Sequence, residues 1–360
     1  MSVLIFIIIL SVLVFVHEMG HFIAAKRAGV RVDEFGIGFP PRVATLFEKA
    51  GTKFTLNWIP FGGFVKIFGE NPSQLSISDI NSFQNKSKKW QAIILAAGVV
   101  FNFLLAWVLI SAGFLIGMPY STENELGARV KNPELMVVNV LPQSPASRAG
   151  LKSGDVIREI KRSNAVLEQL NPVSVSEFIN QFGDKIILNI KRNEISESFE
   201  IMPSESIIDG KFALGISMDE VGTLRLPLHL APWHGMKTSV SLLAETVKGL
   251  GILLLDAVRG RGDLSQITGP VGIVGIVSNA STLGFIYILT LSAFISINLA
   301  VINLLPFPSL DGGRILFVII EAIKGSPINP RVFNWANTLG FALLILLMII
   351  ITVRDIGNLF

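Results

Sequence analysis

Ser2–Arg27 reads SVLIFIIILSVLVFVHEMGHFIAAKR. Fifteen apolar or small residues lead into His17-Glu18-Met19-Gly20-His21, and Lys26-Arg27 close the run. About 20 apolar residues suffice to cross a bilayer, so the stretch predicts a transmembrane helix. It lacks a basic lead and a small-residue cleavage site, which argues for a retained helix rather than a signal peptide. At about 1.5 Å rise per residue, His17 falls roughly 22 Å and His21 roughly 28 Å along that helix. The hydrocarbon core is about 30 Å thick, so both histidines sit below the membrane surface. Ionisable side chains at such depth are costly unless they face protein or trapped water and have a partner.

The rest of the 360-residue chain has the same character. Hydrophobic residues make up 51% and charged residues only 16%, and the mean hydropathy is +0.59. That balance is poor for a soluble globular domain and suits an integral membrane protein. A net charge of +3 is too small to argue for a nucleic-acid partner, and the absence of cysteine excludes disulfides and thiolate metal ligands.

Four stretches are expected to span: about Ser2–Ala25, Trp90–Gly117, Leu283–Leu305 and Val332–Val353. Lys26, Arg27, Arg31 and Arg42 follow the first, Lys86, Lys88 and Lys89 precede the second, and Arg314, Lys324 and Arg331 lie between the last two. Basic loops stay in the cytoplasm. Both termini and the polar segment Pro119–Arg225 are therefore expected outside. Trp233–Arg261 is a fifth apolar stretch. Its charges, Lys237, Glu245, Lys248, Asp256 and Arg259, fall within a sector of roughly 100° at helical spacing. It is expected to lie in the outer interface or to pack on the soluble domain, not to span. The expected boundaries are residues 1–118 for the first membrane part, 119–225 for the soluble domain, 226–265 for the interfacial segment and 266–360 for the second membrane part.

His17 and His21 are four apart and share one helix face. Two imidazoles at that spacing can bind one Zn²⁺, with Glu18 beside them as general base; a polar helix–helix contact is the plainer alternative. A catalytic zinc also needs a third protein ligand and an open position. The candidate is Asp311, in an irregular segment with Gly312 and Gly313 after Pro306 and Pro308 end the third span. The charge-based topology puts Asp311 at the cytoplasmic end, on the side of the histidines. Taken alone, Asp-Gly-Gly would read as an ordinary turn.

His17-Glu18-x-x-His21 in a first span and Asn303-x-x-Pro306-x-Pro308-x-Leu310-Asp311-Gly312 in a third resemble the site-2 protease family of zinc intramembrane metalloproteases, M50. The closest likeness is to its bacterial regulator-of-sigma-E protease branch. The likeness extends to Gly36-x-Gly38-Phe39-x-Pro41, Gly62-Gly63-Phe64-Val65-Lys66, Ala97-Gly98-x-x-x-Asn102-Phe103 and Gly269-Pro270. It implies His17, His21 and Asp311 as zinc ligands, Glu18 as catalytic base, and Asn303 as a group that polarises or holds the scissile carbonyl. Asn303 could equally be a polar packing residue. The soluble segment has room for one PDZ-like domain, where the branch often carries two. Its cues are Ser144-Pro145-Ala146, Ala149-Gly150-Leu151 and Gly154-Asp155-x-Ile157.

The fold class expected is thus an integral membrane protein, mainly α-helical with four transmembrane helices. A membrane-associated β-hairpin or sheet follows the first helix, and there is one extracytoplasmic PDZ-like α/β domain. In KFTLNWIPFGGFVKIFGE, Phe54, Leu56 and Trp58 alternate with Thr55 and Asn57, a strand signature. Pro60 and Gly62-Gly63 interrupt it before Phe64-Val65-Lys66 resumes. Such a sheet could bind an unwound substrate along its edge, at Gly62, Gly63, Phe64, Val65 and Lys66, or only cap the bundle. The PDZ-like groove could capture a peptide, filter substrates by size, or serve as a structural cap.

The implied activity is zinc-dependent cleavage of transmembrane segments in single-span membrane proteins, such as anti-sigma factors or remnant signal peptides. The partners would be those substrates, the lipid bilayer and an upstream site-1-type protease that cuts first. The expected location is the bacterial inner (plasma) membrane. A metal-binding receptor or transporter, or a PDZ scaffold with a membrane anchor, are the rival classes. Glu18 and the absence of matched repeats weigh against the first, and the buried His-Glu-x-x-His against the second.

Overall fold

The computed structural model describes residues 1–70, 79–163, 165–181, 183–192, 195–208, 210–261 and 267–357. The chain forms two compact units, one of Met1–Ala112, Pro232–Ser278 and Ile288–Phe360, the other of Gly113–Ala231 with Asn279–Tyr287.

The first unit is built on helices α1 (Ser2–Arg27), α2 (Lys88–Ile116), α5 (Ala231–Val258), α6 (Pro270–Leu283), α7 (Phe285–Leu304), α8 (Asp311–Lys324) and α9 (Pro330–Gly357). Five of these, α1, α2, α5, α7 and α9, are long and apolar enough to cross a membrane by length and composition. The sequence reading counts four, because the charge sector of α5 suggested an interfacial position. Only the first turns of α5 are packed, through Ala231, Gly235 and Ser239, and most of the remaining helix is exposed. The expected interfacial segment beyond Arg261 lies outside the described residues.

Two further boundaries differ. The third span was expected from Leu283, but Gly284, with φ +113°, ends one helix and lets α7 start at Phe285. The separate α6 was not read; its N-terminus is capped by α9, since the Gly272 backbone N–H donates to the buried Asp355 carboxylate at 2.8 Å. The segment around Asp311 is also not irregular. Asp311, Gly312 and Gly313 open α8. A Cβ at Gly312 would lie 2.2 Å from the Leu304 carbonyl oxygen, and one at Gly313 2.1 Å from that of Phe307. The glycines allow the new helix to start against the end of α7.

Strands β1 (Val32–Lys49) and β2 (Thr52–Ile67) follow α1. Both bend, so residues 34–37 pair with 53–56 on one side and with 63–66 on the other, while 42–49 pair with 52–57. The sheet therefore runs 42–49, 52–57, 34–37, 63–67, with Gly63–Ile67 on one edge. β1, not Phe54–Trp58, is the partner of Phe64–Lys66, a long-range pairing that local alternation does not show. Phe35 packs against Phe15 and Phe22 of α1 at ring centroid distances of 5.4 and 5.6 Å. Lys26 donates to the Ala50 carbonyl at 2.8 Å, and Ser11 to that of Pro60 at 2.7 Å. The sheet thus follows α1 for about 22 Å. Val43, Phe47, Trp58 and Ile59 are exposed on it.

The second unit holds the antiparallel sheet β3 (Met118–Ser121), β11 (Ile216–Leu224), β4 (Lys131–Val140), β5 (Val156–Arg162), β7 (Ile186–Arg192), β8 (Ile195–Ile201), in that order, with β6 (Ala165–Val166) beside β5. β9 (Ser204–Ile208) pairs with β10 (Lys211–Ala213). Helices α3 (Pro145–Ala149) and α4 (Pro172–Asn180) have Ser144 and Asn171 as side-chain N-caps. The core gathers Val137, Ile160, Val175, Ile186, Leu188 and Ile190. Asp155, 1% exposed, accepts from Arg192 Nε and Nη2 at 2.6 and 2.7 Å and from the Lys152 backbone at 2.8 Å. Its hydrogen bonds hold the Arg192 guanidinium above its ordinary range.

Candidate metal centre

His17 and His21 project from one face of α1 toward α2 and the start of α8. Close approach of α1 and α2 makes this possible: a Cβ at Gly20 would lie 2.5 Å from the Ala97 carbonyl oxygen. At Gly98 on α2, a Cβ would lie 2.4 Å from His21 Nε2 and 2.7 Å from His17 Nε2. The two rings rest on bare backbone.

Asp311 Oδ2 lies 3.0 Å from His17 Nε2 and 3.3 Å from His21 Nε2, and the two Nε2 atoms are 3.1 Å apart. Both histidines are buried, at 8% and 7% exposure. The outward nitrogens are also engaged. His21 Nδ1 sits 2.8 Å from the Ile94 carbonyl oxygen, and His17 Nδ1 3.2 Å from the Asn102 amide. Among the described residues, His17, His21 and Asp311 are the group of three that could hold a metal ion. Two imidazoles and a carboxylate make a donor set suited to zinc, and the Gly98 cradle leaves the space that an added methyl would fill.

The chain around Asp311 is held from several sides. Ser309 N donates to Asn337 Oδ1 at 3.0 Å. A Cβ at Gly340 of α9 would lie 2.6 Å from the Pro308 carbonyl oxygen. Arg314 pairs with Glu70, just beyond the sheet edge, and Lys88 of α2 with Glu321 of α8 at 2.5 Å.

Glu18 is within electrostatic range of His17, His21, Asp311 and Glu70. A Cβ at Gly63 would lie 3.9 Å from Glu18 Cγ, and one at Gly62 3.5 Å from Val14 Cγ1. The edge strand therefore passes beside Glu18, one residue along from His17. Gly62, Gly63, Phe64, Val65 and Lys66 thus belong to the strand nearest the centre. Asn303 is in the last turn of α7, half-buried, and its side chain makes no hydrogen bond among the described residues. Gly98 and Asn102 enter the sequence reading only as part of the family likeness, with no role at the centre. Their signal was a glycine and an amide four apart in an apolar run, the same spacing as the two histidines.

The model of peptidase family M50 matches residues 5–347. The chain belongs to peptidase family M50. It is 31% identical to a zinc metalloprotease candidate of Clostridium acetobutylicum, over 99% of this chain and 97% of that one. It is 29% identical to the zinc metalloprotease RasP of Bacillus licheniformis and 29% to the regulator of sigma-W protease RasP of Bacillus subtilis, each over 100% of this chain and 99% of the relative. The protein is accordingly a zinc-dependent metalloprotease of the site-2 type and a multi-pass membrane protein. As in the rest of the family, the metal is zinc.

Proposed function

We propose that the protein is an intramembrane endopeptidase that cuts transmembrane segments of single-span membrane proteins in the cytoplasmic half of the bilayer. The observation that carries this reading is the convergence of His17, His21 and Asp311 donor atoms between apolar helices, with Glu18 next to a strand edge. His17, His21 and Asp311 hold the zinc. When bound, zinc polarises the scissile carbonyl and acidifies water. Glu18 takes the proton of the attacking water and delivers it to the amide nitrogen as the carbon–nitrogen bond breaks. Asn303 donates to the carbonyl oxygen as it gains charge. A transmembrane helix shields its own peptide bonds, so it must first unwind; Gly63–Lys66 offers backbone partners to the extended segment.

The termini and the second unit face outside, in the plasma membrane of a bacterium. The second unit is PDZ-like. A cavity of about 340 Å³ between α4 and the start of β11, lined by Ser176, Glu177, Leu214, Gly215 and Ile216, supports this. The substrate class is that of anti-sigma factors or remnant signal peptides already trimmed outside by a site-1-type protease. The relationship to a regulator of sigma-W protease supports the first.

The test is cleavage of a single-span model substrate by purified protein in detergent or liposomes, with and without chelator. Glu18→Gln should keep its zinc and lose about 10²–10⁴-fold in rate. His17→Ala and Asp311→Ala should lose zinc. Cleavage that persists in Glu18→Gln, or full zinc in either ligand variant, would sink the mechanism.

A further inference from the structure

We propose that Asn102 is a positioning residue for His17: its side-chain carbonyl accepts a hydrogen bond from His17 Nδ1–H and thereby fixes the tautomer whose Nε2 lone pair is free for the metal. The proposal rests on the reading of His17 as a ligand.

His21 provides the pattern. Its Nδ1 is 2.8 Å from the Ile94 backbone carbonyl, which can only accept. His21 must therefore carry a proton on Nδ1, so Nε2, which faces Asp311 and His17, is the nitrogen it can offer to a metal. For His17 to contribute in the same way, its Nδ1 must also donate, and the neighbour 3.2 Å away must present an acceptor. The neighbour is an amide, with one end of each kind.

The two ends of an asparagine amide differ little in shape, so chemistry decides between them. With Asn102 Nδ2 toward His17, the ring would have to accept at Nδ1 and carry its proton on Nε2, where the donors converge. Asn102 Oδ1 would then be buried with no hydrogen-bond partner. Turning the amide gives that carbonyl the His17 Nδ1–H and leaves Nε2 open for a metal; the amide N–H groups then take the partnerless position, so the ligand role of His17 decides between the two orientations. Asn102 itself is 0% exposed, and its helix is pinned there by the buried Ser296, whose hydroxyl donates to the Asn102 main-chain carbonyl at 2.8 Å.

A metal-binding histidine whose outer nitrogen loses its partner typically loses 10–100-fold in metal affinity. Two substitutions separate the carbonyl from the mere presence of a side chain. Asn102→Asp keeps an acceptor and has no N–H; Asn102→Leu has neither. Zinc affinity of the full-length protein in detergent, measured by competition with a chelating dye, should fall about 10–100-fold in Asn102→Leu. It should stay within about three-fold of the parent, or rise, in Asn102→Asp. Equal losses in both, or no loss in Asn102→Leu, overturn the proposal.

Imidazole nitrogen NMR of the zinc-loaded, unmutated protein, in which zinc rather than a proton stands between Nε2 and the Asp311 carboxylate 3.0 Å away, gives a second readout. The chain has only four histidines, and His17→Gln identifies the His17 signal. A proton on Nδ1 is expected; one on Nε2 overturns the proposal. If instead His17→Ala keeps full zinc affinity, the ligand reading itself fails, an outcome distinct from all of these.

Discussion

Replacing Gly98 by alanine should empty the metal centre while leaving its helix intact. The added Cβ would lie 2.4 Å from His21 Nε2 and 2.6 and 2.7 Å from His17 Cε1 and Nε2. Ordinary contact begins at 3.4 Å, so the rings must retreat by about 0.7–1.0 Å, judged against close packing in protein interiors. They have little freedom to do so, because His21 is tethered to Ile94 and His17 to Asn102. Zinc–nitrogen bonds are about 2.0–2.1 Å and tolerate departures of about 0.2 Å. The forced shift exceeds that tolerance several-fold.

Alanine should favour the helix by about 1 kcal/mol, against an overpacking cost of about 1–3 kcal/mol. The variant should therefore fold and insert, with a small net loss of stability. Metal analysis after dialysis against a chelator strong enough to spare only the parent should find under about a tenth of a zinc per chain. Cleavage should fall by about 10²-fold or more. Gly249→Ala on α5, where nothing lies within 4 Å, is the matched control and should keep both. A Gly98→Ala protein with one zinc per chain and parental turnover would refute the account of the cradle.

Two more predictions address the sheet and the soluble unit. Asp155→Asn should destabilise the second unit by about 1–3 kcal/mol, because it removes the buried carboxylate that accepts from Arg192 Nε and Nη2 and leaves Arg192 only Glu197 as a charged partner; limited proteolysis of the full chain over a temperature series should show cutting in that unit about 4 °C or more lower, and an unchanged profile would contradict the buried pair. Trp58→Cys supplies a unique labelling site in a chain without cysteine. A spin label there should collide with oxygen in the bilayer rather than with a water-soluble nickel chelate, and the reverse preference would place the sheet outside the membrane.

The centre was legible in the sequence to the extent that its residues conflict with their surroundings. His17, Glu18 and His21 stand out because an apolar helix should not contain them. Asp311 could be linked to them because basic loops orient the spans without reference to it. What was hidden depends on close backbone approach. Gly312 and Gly313 look like loop residues in one dimension, yet their missing side chains let α8 begin against α7. Gly98 and Asn102 likewise act through atoms that meet only when α1 and α2 cross. The partner of Phe64–Lys66 was missed because β1 is distant in sequence and carries Pro40-Pro41 and several charges. The position of α5 stayed divided because its length and its charge sector point in different directions.

The joining of His17 to Asp311 across 294 positions of chain has a consequence for biosynthesis. At typical synthesis rates of about 5–20 residues per second, on the order of 15–60 s separate the translation of the two. During that interval the nascent chain holds His17, Glu18 and His21 but lacks Asp311, the third member of the proposed ligand set. On the proposed ligand set, proteolytic competence would wait until the last helices are being inserted, and a chain terminated before Asp311 would lack the third ligand.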